Sequence, residues 1–283
     1  MKSFHQFLKE NKILVLPGVF NAASALVAKS VGFEAFYISG SGIATGSFGV
    51  PDLGITTLDQ VCEDVKRIAN VEALRVMPLL VDADTGFGDI SLTVKKLEEA
   101  GASGIHIEDQ VFPKRCGHRP GKELCEPEEM VKRIQDALRA RTNSDFFIIA
   151  RVDSRNVNGF DDALLRAKKY QDAGADAIFA EAMESIEEYK KFVNSLKIPV
   201  LANMTEFGKT PYISVYEFEK AGIRLVIFPL TAFRCMMKSV EDVYKTIKKE
   251  GTQKAILNKF QTREELYKLL NYYEIEKAIG NKQ

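Results

Sequence analysis

The sequence predicts a (β/α)8 barrel, and three observations lead to that prediction. Strand-like apolar runs alternate with amphipathic helical patterns over most of the 283 residues, as in a parallel sheet covered by helices. A glycine recurs between a helical pattern and a strand-like run in SVGFEAF, EAGASGI, DAGADAI and KAGIRLV, where left-handed glycines end helices. No GxGxxG follows the first strand, and polar residues follow many strands, which favours a closed barrel over an open sheet.

The predicted elements follow one another along the chain. The strands are expected at 13–16, 35–39, 77–82, 104–108, 146–152, 177–181, 199–203 and 225–229. Apolar residues at i, i+3 and i+4 predict intervening helices, among them 59–68, 92–100, 128–140, 161–173 and 215–221. From Phe233 onward the chain is helical and charged. We therefore expect a single barrel domain over residues 1–283, with a C-terminal helical extension from about residue 252.

The composition narrows the class of protein. Lys+Arg and Asp+Glu are balanced at 39 each, which argues against nucleic acid or an anionic membrane as a partner. The apolar runs fall far short of the ~20 residues that span a bilayer, and the N-terminus shows no signal-peptide pattern. The four cysteines form no CxxC pair, so we expect free thiols in the cytoplasm. Cys62 and Cys235 are expected to be buried, and Cys125 is assigned no role.

Polar side chains follow nearly every predicted strand, and in a barrel these carboxyl ends meet in one place. Taken singly, each is more often a solvated or capping residue. Together, so many carboxylates require a cation, and hard oxygen ligands favour Mg²⁺ or Mn²⁺ over zinc. Arginines at the same end suit a small, multiply carboxylated substrate. The residues concerned are Ser39, Gly40, Ser41, Asp82, Asp84, Glu108, Asp109, Arg151, Asp153, Glu181, Asn203, Thr205 and Arg234.

Two local patterns refine this site. Asp82 and Asp84 are two residues apart, so an extended chain would direct both carboxylates to one side, close to Glu108 and Asp52. The stretch FPKRCGHRPGK, residues 112–122, places Cys116 among cations on a glycine-containing loop after the fourth strand. Cationic neighbours are typical of a reactive thiol. A thiol on a loop that closes over the site is suited to proton transfer at carbon.

The motifs KRCGH, VDADTGFG, GIHIEDQ and NMTEFGKTP resemble the isocitrate lyase and phosphoenolpyruvate mutase superfamily over nearly the whole chain. The KRCGH loop is similar to that of the lyase branch, and NMTEFG resembles its 2-methylisocitrate-cleaving members. That resemblance implies a Mg²⁺-dependent carbon–carbon lyase that cleaves (2S,3R)-2-methylisocitrate, a small tricarboxylate, to pyruvate and succinate. The expected context is the methylcitrate cycle of propionate catabolism. The expected assembly is a homotetramer, a dimer of dimers that swap their C-terminal helices.

The resemblance also assigns roles to residues. Cys116 would be the general acid/base that protonates nascent succinate, with His118 and Lys114 as its catalytic neighbours. Asp82 and Asp84 would hold Mg²⁺, with Asp52 and Glu108 reaching it partly through water. No group is assigned as the base that deprotonates the substrate hydroxyl. The implied substrate-binding residues are Tyr37, Ser39, Gly40, Ser41, Cys116, Gly117, Arg151, Glu181, Asn203, Met204, Thr205, Arg234 and Arg263.

Two departures from the family pattern and several alternatives stay open. The segment between Asp84 and Glu108 is shorter than the family pattern, and ARVDSRN is expected to place Val152 near the metal, so the alkyl preference is open. Isocitrate cleavage and a phosphonopyruvate- or oxaloacetate-processing activity are alternative reactions. A Schiff-base aldolase would need a strand-end lysine, whereas Lys114 is in a loop. A barrel that only binds a dicarboxylate is the non-enzymatic alternative.

Overall fold

The computed structural model describes residues 2–10 and 12–280, and its strands lie within one or two residues of the predicted runs. Each strand is short and apolar, and all eight are parallel. The strands are β1 (Leu14–Pro17), β2 (Phe36–Ile38), β3 (Leu79–Asp82), β4 (Gly104–Glu108), β5 (Phe147–Val152), β6 (Ala177–Ala180), β7 (Val200–Asn203) and β8 (Leu225–Phe228).

Helices separate the strands, as the sequence predicts. Two of them, α1 and α3, were not anticipated; α3 forms in the glycine-rich stretch directly after β2. The helices are α1 (Phe4–Lys9), α2 (Ala22–Ser30), α3 (Gly40–Phe48), α4 (Leu58–Ala69), α5 (Ile90–Ala100), α6 (Pro127–Ala140), α7 (Phe160–Asp172), α8 (Ile186–Asn194), α9 (Val215–Lys220), α10 (Thr231–Glu250), α11 (Arg263–Leu269) and α12 (Tyr272–Gly280).

The strands form a closed ring. They are ordered sequentially from β2 to β8, and β1 pairs with β8. Between β1 and β2 the ring is completed at Gly18, which lies opposite Tyr37, and the Val19 N–H donates to the Tyr37 carbonyl at 2.9 Å. This closure confirms the predicted (β/α)8 barrel, in which all strand carboxyl ends share one face.

Two apolar layers hold the barrel together. Its interior is filled by side chains such as Leu16, Phe147 and Phe179, and Phe4 of α1 packs on Phe147, with the rings tilted by 38°, at the amino-terminal end of the strands. The outer layer lies between strands and helices and contains Val152. Successive strand residues face opposite sides, so Val152 points away from the interior. The expectation that Val152 lies near the metal site was therefore wrong.

The four predicted helix–glycine–strand junctions are confirmed. Gly32, Gly101, Gly174 and Gly222 have φ values of 97°, 102°, 100° and 87°, the left-handed region that glycine occupies without steric penalty. At Gly101 a Cβ would also lie 2.6 Å from the Cβ of Ala69. These turns return each helix to the amino-terminal end of the next strand.

The C-terminal helices pack little against the rest of the chain. Phe233 is the buried residue of α10, and large apolar side chains on α10–α12 are exposed. Cys235 is exposed as well, so its predicted burial was wrong, since α10 presents that position to solvent. Cys62 and Cys125 are buried. Among the described helices, none combines the length and apolarity needed to cross a membrane.

Candidate active site

A cavity of about 680 Å³ lies at the carboxyl ends of the strands. It brings together most of the residues that the sequence singled out. These are Tyr37, Ser39, Ser41, Asp52, Asp82, Lys114, Cys116, Gly117, His118, Arg151, Glu181, Asn203, Thr205 and Arg234. Its apolar wall comprises Leu53, Phe179, Ile227, Pro229 and Leu230.

The remaining predicted residues do not line the cavity. Asp84 and Glu108 are buried beside it, and the amide of Gly40 donates to Asp82 Oδ2 at 3.1 Å. The Met204 sulfur accepts from the Ile213 N–H at 3.3 Å within the outer apolar layer. Arg263 is exposed at the start of α11. The single chain therefore does not bring Met204 or Arg263 to the cavity.

The amino-terminal end of α3 forms one side of the cavity. Ser39 is the N-cap residue, but its hydroxyl makes no capping hydrogen bond and remains available. The first amides of a helix lack partners within the helix, and their dipoles favour negative charge. With Ser39 and Ser41 lining the cavity, this end of α3 is suited to a carboxylate.

Asp82 and Asp84 come together through a turn. β3 ends at Asp82, and Asp84 takes a left-handed backbone conformation with φ of 47°. The Asp84 N–H donates to Asp82 Oδ1 at 3.1 Å. The predicted proximity is therefore present, but a turn produces it rather than alternation along an extended strand.

Lys114 is buried among these carboxylates. Its ammonium lies 2.9 Å from Asp84 Oδ1 and also pairs with Asp52. Burial acts to lower the pKa of Lys114, but Asp84, Glu108 and Asp52 outweigh burial and raise it well above its ordinary value. Burial raises the pKa of Asp84 to about 6, against the opposing effect of Lys114. Lys114 therefore stays charged and joins the cysteine-bearing loop to the strand ends.

The carboxylates have the chemistry of a hard-cation site. Both oxygens of Glu108 and Oδ1 of Asp84 are buried and accept no well-aligned hydrogen bond from the described residues, although the Lys114 ammonium lies 2.9 Å from Asp84 Oδ1 and an Arg151 nitrogen lies 3.2 Å from Glu108 Oε2. Oxygen-only donors suit Mg²⁺ or Mn²⁺. In residues 2–10 and 12–280, no three His, Cys, Asp or Glu side chains form a ready coordination cage; Lys114 lies between Asp52 and Asp84. The donor set fits a divalent cation in type and charge.

Arg151 is the cationic centre of the site. Its Nε and one terminal nitrogen donate to the two oxygens of Asp153 at 2.8 and 3.0 Å. The other terminal nitrogen lies 3.2 Å from Glu108 Oε2, and the terminal nitrogen that donates to Asp153 also lies 3.4 Å from Glu181 Oε2. The guanidinium also lies over the Phe179 ring, 5.1 Å from its centroid. These contacts fix the position and orientation of the Arg151 guanidinium beside the cavity.

The loop that carries Cys116 approaches this centre closely. His118 Nε2 lies 2.7 Å from Glu181 Oε1, and His118 Nδ1 accepts from the Lys209 N–H at 2.9 Å. Burial alone would raise the pKa of Glu181, but Arg151 and His118 hold it well below its usual range. A Cβ on Gly117 would lie only 2.5 Å from an Arg151 terminal nitrogen. Glycine is required at position 117 for this approach.

Sequence reasoning missed His106, which lies inside the barrel below Asp82. Its Nε2 is 2.9 Å from the Tyr37 hydroxyl, and the two rings stack with centroids 5.7 Å apart. Burial lowers the pKa of His106 to about 4, so the ring is neutral near pH 7. The alternation in GIHIE, which places Gly104, His106 and Glu108 on one face of β4, was the available signal.

Comparison with known proteins identifies relatives that cover nearly the whole chain. The family model described as phosphoenolpyruvate phosphomutase matches residues 4–248. A 2-methylisocitrate lyase from Escherichia coli is 46% identical over 99% of this chain and 95% of its own length. One from Aeropyrum pernix is 51% identical over 96% of this chain and 87% of its own length.

Solved structures give the same grouping. A 2,3-dimethylmalate lyase, a member of the PEP mutase/isocitrate lyase superfamily, is 34% identical with a TM-score of 0.90, covering 98% of this chain and 93% of its own. An oxaloacetate acetylhydrolase bound to 3,3-difluorooxalacetate is 30% identical with a TM-score of 0.91, covering 99% and 96%. A phosphonopyruvate hydrolase complexed with oxalate and Mg²⁺ is 28% identical with a TM-score of 0.83, covering 96% and 94%. This chain belongs to the phosphoenolpyruvate mutase/isocitrate lyase superfamily, within its 2-methylisocitrate lyase family of carbon–carbon lyases.

Proposed function

We propose that this lyase cleaves (2S,3R)-2-methylisocitrate to pyruvate and succinate, as a step of propionate catabolism through the methylcitrate cycle. The observation that supports it best is the position of Cys116. Cys116 lines the cavity on a loop whose buried Lys114 pairs with Asp84, just after β3, and with Asp52. The cavity beneath it carries Arg151 and the amino-terminal end of α3, both suited to carboxylates.

In the proposed reaction, Cys116 is the general acid. After the C2 hydroxyl proton is removed, the C2–C3 bond breaks and its electron pair stays on C3, next to a carboxylate. The Cys116 thiol then gives its proton to C3, which yields succinate and leaves a thiolate that solvent reprotonates. Lys114 and His118 hold the loop through Asp84, Asp52 and Glu181.

The substrate carboxylates would be bound by three groups of residues. Ser39 and Ser41 offer their hydroxyls at the start of α3, Gly40 lies between them with its amide donating to Asp82, and Gly117 allows the loop to approach. Arg151 and Arg234 supply guanidiniums, and Asn203 and Thr205 supply neutral hydrogen-bonding groups, while the ionised Glu181 can only accept a hydrogen bond and suits a donor of the substrate rather than a carboxylate. Tyr37 lines the floor. Met204 and Arg263 would contribute only indirectly or through assembly.

A divalent cation, Mg²⁺ or Mn²⁺, would be held by Asp82 and Asp84, with Asp52 and Glu108 nearby through water. When bound it would stabilise negative charge on the oxygens of the 2-hydroxy acid that becomes pyruvate. Asp82 is suited to this role because His106, Lys114 and Arg151 outweigh burial and hold its pKa below the usual range. It is therefore ionised near neutral pH.

The apolar wall supports an alkyl-bearing substrate. Phe179 of β6, Ile227 of β8 and Pro229 line the same cavity as the polar groups. A substrate methyl group packed there would be worth about 0.8 kcal/mol per buried carbon. We therefore infer a preference for 2-methylisocitrate over isocitrate.

We also infer assembly into a homotetramer of helix-swapped dimers in the cytoplasm. Apolar side chains such as Tyr244, Ile247, Leu270 and Tyr273 are exposed on the C-terminal helices, and contiguous exposed apolar surface is typical of an interface. Such an exchange would offer Arg263 of α11 a route to a neighbouring cavity. The four free thiols suit a reducing compartment.

The test is 2-oxoacid release from 2-methylisocitrate and, separately, from isocitrate, with Mg²⁺, with EDTA, and with Mg²⁺ restored. We expect faster turnover of 2-methylisocitrate, loss with EDTA and recovery with Mg²⁺. Cys116→Ser should lower kcat by roughly 10²–10⁴-fold, whereas Cys235→Ser, which removes an exposed thiol on α10, should not. Faster isocitrate turnover would refute the substrate assignment, and turnover of neither would refute the lyase proposal.

A second candidate is hydrolysis of an oxaloacetate-type substrate. It is favoured by the solved oxaloacetate acetylhydrolase, which is 30% identical with a TM-score of 0.91. Oxalate release from oxaloacetate, with full retention of activity in Cys116→Ser, would support it over the cleavage of 2-methylisocitrate.

A further inference from the structure

Residues 110–124, here called the cysteine loop, are closed at their base by backbone hydrogen bonds. The Val111 N–H donates to the Glu123 carbonyl at 2.8 Å, and the Cys125 N–H donates to the Asp109 carbonyl at 3.0 Å. The Gln110 side chain bonds both the N–H and the carbonyl of Arg115, at 3.0 and 2.9 Å. These bonds shape the loop, but none of them joins Cys116 to the strand ends.

Lys122 makes that connection from within the same loop. Its ammonium donates to the Gly117 carbonyl at 2.7 Å, to the Asp153 carbonyl at 2.9 Å and to Asp153 Oδ1 at 3.0 Å. A lysine ammonium has three donors, so each is used. Lys122 is 6% exposed, and burying a charge in this way requires such complete pairing.

Asp153, which accepts from Lys122, also orients Arg151. The same Oδ1 accepts from an Arg151 terminal nitrogen at 3.0 Å, and Oδ2 accepts from Arg151 Nε at 2.8 Å. The Asp153 N–H donates to Asp109 Oδ1 at 2.8 Å, and Asp153 is fully buried. Asp153 is thus a rigid support that contacts both the loop and the guanidinium of the site.

We propose that Lys122 is a positioning residue, which holds Gly117, and through it Cys116, against the Asp153 carboxylate that orients Arg151. Lys122 contacts neither the cavity nor Cys116 itself, and it acts through the carbonyl next to the thiol-bearing residue. Without its ammonium, two carbonyls and one carboxylate oxygen lose a donor in a buried place. Movement of the loop toward solvent then becomes favourable, because water can hydrogen-bond these unpaired oxygens, and the Cys116 thiol moves with the loop.

The expected effect of Lys122 on kcat rests on the proposed function, whereas its expected effect on the position of the loop does not. The variant is Lys122→Met, which keeps the side-chain length and removes the three donors. The matched control is Lys132→Met, the same substitution at an exposed position of α6. Lys122→Gln, which keeps a shorter donor, replaces Lys122→Met if that variant does not fold.

Hydrogen exchange of the peptide covering 111–124 is measured without substrate, and kcat and KM are measured with 2-methylisocitrate. For Lys122→Met we expect exchange in the loop to accelerate roughly 10-fold or more, with the rest of the barrel unchanged. We expect kcat to fall about 10- to 100-fold while KM changes less than about 3-fold. Lys132→Met should match the wild type in both measurements.

Loop exchange equal to that of Lys132→Met overturns the proposal, whatever the kinetics. Faster loop exchange with kcat within about 3-fold of wild type also overturns it, because the loop position would then be irrelevant to the chemistry. If the wild-type enzyme turns over no 2-methylisocitrate, the proposed function fails, and the exchange comparison alone decides whether Lys122 holds the loop.

Discussion

Substitution of Gly117 by alanine is the sharpest test of how closely the cysteine loop must approach the barrel. The added Cβ would lie 2.5 Å from an Arg151 terminal nitrogen and 2.6 Å from Glu181 Cγ. Neither neighbour can yield easily, because Asp153 and Glu108 hold Arg151 and His118 faces Glu181. Ordinary contact begins near 3.4 Å, so the loop must retreat by about 0.9 Å.

A misplacement of about 1 Å at a reacting group can cost on the order of 10²-fold in rate. For Gly117→Ala we therefore expect kcat to fall about 100-fold, equivalent to roughly 2.7 kcal/mol in the activation barrier. The free energy of unfolding should change by less than about 1 kcal/mol, because the loop can move outward while the barrel stays intact. Steady-state 2-oxoacid release and urea unfolding measure the two quantities.

The control is Gly280→Ala, which adds the same methyl group where nothing lies within 4 Å of the new Cβ. It should leave kcat unchanged. A Gly117→Ala enzyme with kcat within about 3-fold of wild type would show that the loop need not approach this closely and that its placement does not limit the rate.

Three further experiments test other parts of the structure. Tyr170→Phe removes the hydroxyl that donates to Asp109 Oδ2 at 2.8 Å, so the free energy of unfolding should fall by about 1.5–3 kcal/mol in urea; an unchanged value would contradict that account of the buried network. Burial raises the pKa of Cys125 to about 11, so native Cys125 should resist iodoacetamide at pH 8 while Cys116 reacts. The same shift makes the free energy of unfolding fall as pH rises from the ordinary value of 9.0 toward 11, and Cys125→Ala should make that slope shallower. Leu270→Asp with Tyr273→Asp, both on exposed apolar positions, should reduce the mass measured by light scattering, whereas Lys268→Asp should not.

Much of the fold could be predicted from local pattern alone. The eight strands are short apolar runs bounded by polar residues and glycines, so their positions follow from hydrophobicity and turn chemistry. The left-handed conformations of Gly32, Gly101, Gly174 and Gly222 were predictable for the same reason. Since strand carboxyl ends converge in a barrel, the cavity residues at those ends followed from the fold.

The predictions from sequence were wrong where the environment of a residue depends on the direction of its side chain or on contacts with distant parts of the chain. Val152 was placed near the metal site, although its neighbour Arg151 faces inward and strand alternation sends Val152 to the outer layer. Cys235 was expected to be buried, but its helix is largely uncovered by the rest of the chain. The pairing of Lys122 with Asp153 joins residues 31 positions apart, and no local pattern encodes such a contact.

The balance of charge at the strand ends has a consequence for binding kinetics. Against one guanidinium, that of Arg151, the barrel and the segment that carries Asp52 place six carboxylates: Asp52, Asp82, Asp84, Glu108, Asp153 and Glu181. The cysteine loop adds two ammonium groups, those of Lys114 and Lys122. Carboxylates of the same chain therefore hold the cysteine loop in position before a ligand binds. Binding then costs no further conformational entropy for ordering the loop.

Opening the loop requires these buried ion pairs to separate, so we expect product residence time to be governed by that separation. Because salt screens buried ion pairs far less than exposed ones, we expect the release rate to depend only weakly on ionic strength. Such an enzyme would favour slow exchange of tightly held, compact anions, and a small polycarboxylate would inhibit it with a long lifetime on the protein.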